Sequence, residues 1–386
     1  MSGEWPTRKL GAVLQIINGY AFDSKHFDAT NGMPLIRIRD LKSGTHTETR
    51  FAGAYDKKYI VKAGDLLIGM DGEFGCYEWG GEPGLLNQRV CKLQSFATSL
   101  APRFLFYGVN SYLKDIENET GYTTVKHLSS KQILDIEFPI PPLPEQRRLI
   151  KLLDQAFLDI AIAKANAERN LQNARDLFES RLNEIFTKRG LGWVEKRLDQ
   201  IGTTQTGSTP STSDKENYGN FIPFIKPADF NEDGSLNYGN AGLTEKGLLK
   251  ARKVRAGSVL MVCIGATIGK CGYCDRDVTT NQQVNSLTPF KGTFYKLVYY
   301  QMRTRDFQRR MLLSSAQATL PIINKSKWEA LTILLPQKTG EQSRIVMELA
   351  GLDKEAARLK STYQKKLHAL EALKKSLLNK AFRGEL

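Results

Sequence analysis

The sequence has 386 residues and 41% hydrophobic residues, enough to form the cores of two or three domains. Its net charge of +14 favours a polyanionic partner, nucleic acid first, and its five cysteines argue for reduced thiols in a cytoplasm instead of a disulfide framework. No uninterrupted apolar run of about 18 residues occurs, and the N-terminus lacks the apolar stretch of a signal peptide. Composition therefore disfavours membrane-spanning and secreted, disulfide-stabilised proteins.

Residues 1–144 predict a first globular domain of short strands separated by turns. The runs MPLIRIRDL, DLLIGM, QRVCKL and DIEFPI have the apolar and β-branched character of strands, and APRFLFYGVNSYLKDI has helical character. This segment holds 16 basic and 16 acidic residues, so it has no net charge. If it binds nucleic acid, its basic side chains must be gathered on one face.

Residues 145–190 predict a long spacer helix. The prolines of PIPPLP end the first domain because proline fixes φ and disfavours helix at the preceding residue. After them, apolar residues recur in steps of three and four, as in a coiled coil. The predicted interface residues of this helix are Ile150, Leu153, Phe157, Ile160, Leu171 and Phe178.

Residues 191–340 predict a second globular domain, and residues 341–386 a second spacer helix. The domain contains the strand-like runs FIPFIKP, SVLMVCIG and QVNSLTP and the helical stretch FYKLVYYQMRTRDFQRRM. It holds 20 basic and 12 acidic residues, so much of the net charge lies here. The predicted interface residues of the second helix are Leu349, Leu359, Tyr363, Leu367, Leu370 and Leu377.

The two halves of the chain resemble each other in order. WPTRKL matches WVEKRL, PLIRIRDL matches PFIKPADF, VKAGDLLIG matches VRAGSVLMV, and NQRV matches NQQV. Gaps between the halves fall in segments rich in Gly, Asn and Asp, where loops vary on a shared framework. The sequence therefore predicts a duplicated unit consisting of one α+β domain followed by one helix.

The two predicted helices have apolar stripes that one helix cannot bury alone. Each would be about 60–65 Å long at 1.5 Å per residue. We expect them to pair as an antiparallel coiled coil, with a pseudo-twofold relation between the domains. Two similar domains related in this way suit duplex DNA, whose backbone has its own local twofold symmetry. The helix length then limits the separation of the two DNA half-sites that the domains contact to roughly 19 base pairs.

Motifs for catalysis or metal binding are weak. GATIGKC has three residues between its glycines, and a phosphate-binding loop has four. Cys271 and Cys274 have the spacing of zinc ligands and Cys263 is near, but no histidine pair accompanies them, so free cysteines are the favoured interpretation and zinc the alternative. We predict no catalytic residues, no metal and no cofactor on this chain.

Polar and basic residues beside predicted loops are the candidate DNA-binding residues. Arg suits guanine edges, Asn and Gln suit adenine edges, and Lys suits phosphates. A solvated charge or a turn-stabilising amide is the competing interpretation of each. The candidates are Tyr20, Arg37, Arg39, Lys42, Asn87, Gln88, Arg89, Tyr122 and Lys126 in the first half, and Thr209, Lys226, Lys270, Asn281, Gln282, Gln283, Gln317 and Thr319 in the second.

The Asn-Gln pair that recurs in NQRV and NQQV is a special case. A pair repeated in both halves indicates framework, whereas different half-sites should be read by residues that differ between the halves. GYAFDSKHF and GSTPSTSDKENYG face each other in the repeat and differ, so we expect the two domains to read different bases.

Taken together, PLPEQRRLI with GEQSRIV, VKAGDLLIGMDGEFG with NQRV, IGATIGKCGY with NQQV, and the terminal LLNKAFRGEL resemble specificity subunits of type I restriction–modification systems. The resemblance covers essentially the whole chain. It implies a non-catalytic subunit whose two target-recognition domains each read one half of a bipartite, gapped DNA sequence. It also implies methyltransferase partner subunits that hold S-adenosylmethionine, and it leaves open a restriction subunit as a further partner. The second junction, QKTGEQSR, lacks the prolines of the first.

Two other classes remain open at the level of sequence. A coiled-coil scaffold for protein interactions would bind DNA weakly and without sequence preference. A stand-alone nuclease or methyltransferase would show activity as the purified chain with metal or S-adenosylmethionine.

Overall fold

The structure, a computed structural model, describes residues 5–119, 126–188, 192–315 and 320–386. These residues divide into two compact units. Unit 1 contains the described residues up to 165 together with 368–386, and unit 2 contains those from 166 to 367. Each unit therefore combines one globular domain with part of each long helix.

The globular domain of unit 1 is a mixture of short strands and two helices. Its strands are β1 (Thr7–Lys9), β2 (Gln15–Asn18), β3 (Phe27–Asp28), β4 (Met33–Ile36), β5 (Arg50–Phe51), β6 (Ile60–Val61), β7 (Leu66–Gly69), β8 (Gly75–Glu78), β9 (Gly84–Leu86), β10 (Val90–Gln94) and β11 (Glu137–Pro139), and its helices are α1 (Pro102–Glu119) and α2 (Ser130–Leu134). The strands form a sheet of order β2-β10-β7-β8, a sheet of order β3-β5-β4-β9-β6, and the pair β1-β11.

Strand β7 connects the two cores of this domain. Leu66 and Ile68 face the larger core, which α1 and the long helices cover, while Leu67 faces a second core beside Ile36 and Leu86. Side chains of a strand alternate between its faces, so a strand with a core on each side must be apolar throughout. All four residues of β7 are buried accordingly.

The globular domain of unit 2 repeats this arrangement. Its strands are β12 (Trp193–Arg197), β13 (Gly202–Thr206), β14 (Tyr218–Ile225), β15 (Gly242–Leu243), β16 (Lys253–Val254), β17 (Ser258–Val262), β18 (Cys271–Cys274), β19 (Val278–Thr280), β20 (Val284–Pro289) and β21 (Thr332–Pro336), and its helices are α4 (Leu198–Ile201), α5 (Glu245–Leu249), α6 (Tyr295–Met302), α7 (Arg305–Ser314) and α8 (Lys325–Glu329).

The sheets of the two domains correspond, except that the second sheet of unit 1 has one additional edge strand, β3. Sheet β13-β20-β17-β18 corresponds to β2-β10-β7-β8, and the pair β12-β21 corresponds to β1-β11. Sheet β15-β14-β19-β16 corresponds to the second sheet of unit 1, and each of these sheets contains one parallel pair, β14-β19 and β4-β9. The predicted α+β class and the internal repeat are therefore confirmed.

One predicted element differs from the structure. The stretch FYKLVYYQMRTRDFQRRM forms two helices, α6 and α7, instead of one. The chain leaves the helical conformation at Thr304, whose side chain accepts a hydrogen bond from the backbone N of Phe307 at 3.3 Å and caps α7. Threonine is a strong N-cap residue, and this local alternative competes with continuing the first helix.

Two long helices, α3 (Leu143–Thr187) and α9 (Thr339–Phe382), follow the two domains. In unit 1, Leu149 and Leu153 of α3 and Ala381 of α9 are buried in the larger core. Lys164 pairs with Glu371 at 2.7 Å, and the Lys374 Nζ lies 5.2 Å from the Phe157 ring centroid. From Phe157 to Lys164 the residue number on α3 increases, while that of the contacting residue on α9 decreases from Lys374 to Glu371, so the helices are antiparallel.

In unit 2 the same helices pack through their other ends. Phe178 and Leu182 of α3 share a core with Ile345 and Leu349 of α9, and Arg181 pairs with Glu348 on the surface of this contact. Of the twelve residues predicted to form the helix interface, three are buried and nine are half-buried. The buried ones are Leu153, Phe178 and Leu349, and the half-buried ones are Ile150, Phe157, Ile160, Leu171, Leu359, Tyr363, Leu367, Leu370 and Leu377.

A buried glutamine joins the start of each long helix to its domain. The Gln146 side chain accepts from the backbone N of Ala101 at 2.9 Å and donates to the carbonyl oxygens of Ser99 and Pro141 at 2.8 and 2.7 Å. The Gln342 side chain makes the corresponding three bonds, to Phe294 N and to the carbonyl oxygens of Gly292 and Pro336. The Glu-Gln pair at each junction is thus a structural anchor as well as a helix start.

Candidate nucleic-acid interface

The loop between β9 and β10 is the centre of the candidate site in unit 1. The backbone N of Asn87 donates to the Ile36 carbonyl at 3.2 Å, and that of Gln88 donates to the Tyr20 carbonyl at 2.9 Å. The Arg89 carbonyl accepts from the backbone N of Met70 at 2.9 Å. The loop therefore brings four sequence-predicted residues together and fixes their backbones.

The Arg89 side chain lies in a cluster of charged groups. Its Nε is 3.3 Å from Asp71 Oδ2, and Asp71 Oδ1 is 2.6 Å from His127 Nδ1. Arg89 has a φ of 70°, in the left-handed region that few non-glycine residues adopt. Backbone hydrogen bonds on both sides of the loop stabilise this conformation of Arg89, and they therefore fix the direction of its Cα–Cβ bond.

An exposed aromatic group lies beside this loop. Tyr20 is 52% exposed, and its ring centroid is 5.2 Å from that of Phe22 and 5.3 Å from that of Tyr59. Lys58 Nζ lies 4.9 Å from the Tyr59 ring centroid. A flat ring with a cation beside it is suited to contact a sugar or a base next to a phosphate.

Arg37, Arg39 and Lys42 belong to the segment after β4. The Arg37 backbone N donates to Asp40 Oδ2 at 2.9 Å, and both arginine side chains reach the Thr49 hydroxyl. Lys42 pairs with Glu73 at 2.7 Å, and this hydrogen bond raises the pKa of the lysine. Arg37 is half-buried, whereas Arg39 and Lys42 are exposed.

Lys126 reaches the same region only through its backbone. Its carbonyl accepts from the backbone N of Gly72 at 3.0 Å, but its Nζ donates to the Glu117 carbonyl at the end of α1. Its side chain therefore points to α1 and not to the loop. Three other predicted residues, Tyr122, Gln317 and Thr319, lie outside the described residues.

In unit 2 the loop between β19 and β20 has the corresponding position. The backbone N of Asn281 donates to the Ile225 carbonyl at 3.1 Å, and the Gln283 carbonyl accepts from the backbone N of Cys263 at 2.8 Å. The exposed Gln282 accepts from the Thr209 hydroxyl. Asn281, Gln282, Gln283 and Thr209 are therefore brought together.

The two predicted lysines of unit 2 differ in their positions. Lys226 is exposed next to Ile225, and its Nζ lies 5.4 Å from the Phe224 ring centroid. Its backbone N donates to Asp229 Oδ2 at 2.7 Å, as that of Arg37 does to Asp40. Lys270 is half-buried in the turn before β18, where its carbonyl accepts from Val262 N at 2.8 Å.

The repeated asparagines belong to the framework. Asn87 and Asn281 are 7% and 9% exposed, and Asn281 Nδ2 donates to Gln283 Oε1 at 2.8 Å. The Gly19 and Gly207 backbones pass so close to these asparagines that a Cβ at either glycine would collide with the carbonyl oxygen. A buried side chain against a close backbone is poorly placed to reach a base edge.

Sequence reasoning missed two members of the unit 1 cluster, Asp71 and His127. They come together as an isolated bridge between segments 56 residues apart, which no local pattern reveals. Neither Asp71, in GMDGEFG, nor His127 belongs to a site motif that the sequence shows. The usable signal was that both lie beside predicted loop residues.

The described residues contain no group of three or more His, Cys, Asp or Glu side chains that could hold a metal ion. Cys271 and Cys274 face opposite sides of β18, one in the core shared with the helices and the other in a second core. Two side chains on opposite faces of a strand cannot ligate one metal ion. Among the helices that the structure describes, none is long and apolar enough to cross a bilayer.

The comparisons with known proteins agree with this architecture. The family model described as the type I restriction modification DNA specificity domain matches residues 2–171 and 191–369. The EcoBI type I restriction enzyme specificity subunit of Escherichia coli is 30% identical to this chain over 99% of its length and 86% of that subunit.

Two solved structures share the fold. A chain from a structure of the type I R-M system, described for its complex assembly and conformational transition, has a TM-score of 0.75 at 20% identity and covers 99% of this chain and 98% of that one. The HsdS subunit from Thermoanaerobacter tengcongensis has a TM-score of 0.59 at 19% identity, with coverage of 99% and 97%. With two matched specificity domains on duplicated α+β domains, each followed by a long helix, the chain belongs to the family of type I restriction–modification DNA specificity subunits.

Proposed function

We propose that each globular domain of this chain reads one half of a bipartite, gapped DNA sequence. The observation that carries this proposal is that the β9–β10 and β19–β20 loops share backbone hydrogen bonds but carry different side chains at one position, the exposed Arg89 in one loop and the half-buried Gln283 in the other. A shared framework with different donors is what two half-sites of different sequence require.

The two long helices set the number of unread bases between the half-sites and dock methyltransferase subunits. Most charged side chains of α3 and α9 are exposed, including Lys365 and Lys366, so the helices offer polar surface for such partners. S-adenosylmethionine belongs on the partner subunit, since the chain contains no recognised motif for it. A restriction subunit is a further expected partner of the complex, and this chain itself is non-catalytic.

The experiment that tests the proposal is single-molecule sequencing of methylated bases in host DNA. It compares a host that carries the gene with a deletion strain and with the deletion strain complemented by the gene. We expect a gapped, two-part methylated motif that disappears on deletion and returns on complementation. A methylation pattern that is the same in all three strains would contradict the proposal.

A second measurement tests the partner. The purified, tagged chain should retain a methyltransferase from a lysate of its own host, identified by mass spectrometry. A tagged chain carrying charge reversals at Lys365 and Lys366 is the matched variant, because these exposed positions on α9 do not contribute to either core. Retention of no methyltransferase by the unaltered chain would count against the helix-docking part of the proposal.

A further inference from the structure

Backbone hydrogen bonds establish a residue-by-residue correspondence between the two candidate loops. Met70 N donates to Arg89 O, and Cys263 N donates to Gln283 O. The carbonyls of Met70 and Cys263 in turn accept from the backbone N of Leu128 at 2.7 Å and of Ile323 at 2.9 Å. Arg89 therefore corresponds to Gln283.

The neighbours of these two residues correspond in the same way. Asp71 forms an isolated antiparallel bridge with His127, and Ile264 forms one with Ile322. The next residue along, Gly72 or Gly265, donates its backbone N to Lys126 or Pro321 at 3.0 or 3.1 Å. A charged cluster of Arg89, Asp71 and His127 in unit 1 thus occupies the place of Gln283, Ile264 and Ile322 in unit 2.

The bonds within the charged cluster leave the end of the Arg89 guanidinium available. A carboxylate oxygen only accepts hydrogen bonds, so the 2.6 Å contact between Asp71 Oδ1 and His127 Nδ1 places a hydrogen on Nδ1. Nδ1 therefore cannot accept from Arg89 Nη1, which lies 3.4 Å away. Asp71 Oδ2 engages Arg89 through Nε at 3.3 Å. The two terminal nitrogens, which donate together to a guanine O6 and N7, are therefore not committed within this cluster.

The corresponding place in unit 2 has no charged side chain. The half-buried Gln283 offers a carboxamide, whose Oε1 accepts from Asn281 Nδ2 at 2.8 Å and whose Nε2 is 3.5 Å from the Ile264 carbonyl. These contacts leave the second Nε2 hydrogen and the second Oε1 lone pair for a base. Ile322 beside it is 39% exposed. A carboxamide pairs with the N6 and N7 edge of adenine, and an exposed aliphatic side chain contacts the methyl group of thymine.

We propose that this one framework position determines a base in each half-site, with Arg89 reading a guanine in the half-site of unit 1 and Gln283 reading an adenine–thymine pair in that of unit 2. Asp71 is a positioning residue that orients Arg89. The inference rests on the proposed function, and it adds the residues and the bases to which they are matched.

The test is methylated-base sequencing in hosts whose only copy of the gene carries a variant, with its natural partner subunits. Arg89→Asn is the principal variant, because asparagine tolerates the left-handed backbone and is too short to keep the contact. Gln283→Ala is its counterpart in unit 2. Arg8→Asn, at an exposed arginine of β1 outside the loops, is the matched control.

We expect Arg89→Asn to relax one guanine position of one half-site and Gln283→Ala to relax one adenine–thymine position of the other half-site. Discrimination at the affected position should fall roughly 5- to 150-fold, while the remaining bases and the gap length are retained. The control should keep the complete motif. Relaxation of the same half-site by both variants, or an intact motif with Arg89→Asn, would overturn the proposal.

Arg89→Lys distinguishes base reading from phosphate binding. Lysine keeps the charge but lacks the two-pronged donor, so base reading predicts relaxation at the guanine position. Phosphate binding predicts an intact motif with Arg89→Lys, together with equally weakened binding to all sequences in Arg89→Asn, and would overturn the proposal.

If Arg89→Asn lowers the melting temperature of the purified complex, Arg89→Lys alone decides the outcome. A host in which even the unaltered gene gives no gapped motif contradicts the proposed function instead.

Discussion

At the scale of single residues, the clearest feature is the pair of buried glutamines at the helix junctions. Gln146 and Gln342 are 0% and 3% exposed, and each uses its acceptor and both donors on backbone groups of its own domain. Glutamine suits the place because it combines one acceptor group with two donors and carries no charge that burial would penalise. Hydrogen bonding therefore explains why a glutamine follows the glutamate at both junctions.

Replacing either glutamine by alanine should destabilise its unit. Gln146→Ala leaves one N–H group and two carbonyl oxygens without their partner, at a cost of about 2–4 kcal/mol in the free energy of unfolding. Urea denaturation followed by fluorescence measures this loss. Gln155→Ala, at an exposed position of the same helix, is the control and should change stability by less than about 0.5 kcal/mol. Equal stabilities of the two variants would show that the anchor is dispensable.

The cysteines lead to a second prediction at this scale. All five are free and buried, and burial raises the pKa of Cys91, Cys263 and Cys271 to about 12 and that of Cys274 to about 11. Only a thiolate reacts readily with a disulfide reagent. At pH 8 the native chain should therefore react with none of its thiols, and the urea-unfolded chain with all five. Fast reaction of any thiol in the native chain would contradict this burial.

At the scale of elements, the end of α9 is held against α1 by aromatic packing. The Phe382 ring centroid lies 4.9 Å from that of Phe104 and 5.8 Å from that of Phe138. Gly108 of α1 lies directly beneath the Phe382 ring, and a Cβ there would collide with it. The glycine weakens α1 slightly as a helix but permits this close approach. The last turn of the chain is thus part of the core of unit 1.

Gly108→Ala should therefore be destabilising, although alanine is the better helix former. We expect a loss of about 1–3 kcal/mol in unfolding free energy from overpacking. In a Phe382→Ala background the collision is removed, so the same glycine change should cost far less or even stabilise α1. The double-mutant cycle, measured by urea denaturation, needs all four proteins. Additive effects of the two substitutions would contradict the contact between Gly108 and Phe382.

At the scale of the whole molecule, the duplication was readable from sequence because both halves keep the same strand and junction motifs. The apolar and β-branched runs in VKAGDLLIG and VRAGSVLMV predicted the central strands, and the three-and-four spacing predicted α3 and α9. The break at Thr304 was missed because apolar spacing continues across it, while a single side-chain cap decides the local structure. The Asp71–His127 bridge was missed because it depends on tertiary proximity, which residue patterns do not encode.

The uneven charge of the two halves gives a prediction for the complete chain. Residues 1–144 have no net charge, whereas residues 191–340 carry 20 basic against 12 acidic residues. Phosphate neutralisation supplies much of the affinity for DNA and weakens as salt rises. Without a methyltransferase, the purified full chain should therefore bind a duplex carrying only the half-site of unit 2 more tightly, and with a steeper salt dependence, than a duplex carrying only that of unit 1.

Fluorescence anisotropy with labelled duplexes from 50 to about 200 mM salt tests this expectation. The half-sites are assigned to the units by the Arg89 and Gln283 variants, and a duplex with both half-sites scrambled measures the affinity that is independent of sequence. Adding the methyltransferase should raise affinity chiefly for the half-site of unit 1, because a clamp on the DNA supplies the attraction that this domain lacks. Tight binding of that half-site by the chain alone would show instead that the basic side chains of unit 1 suffice, gathered on one face despite its zero net charge.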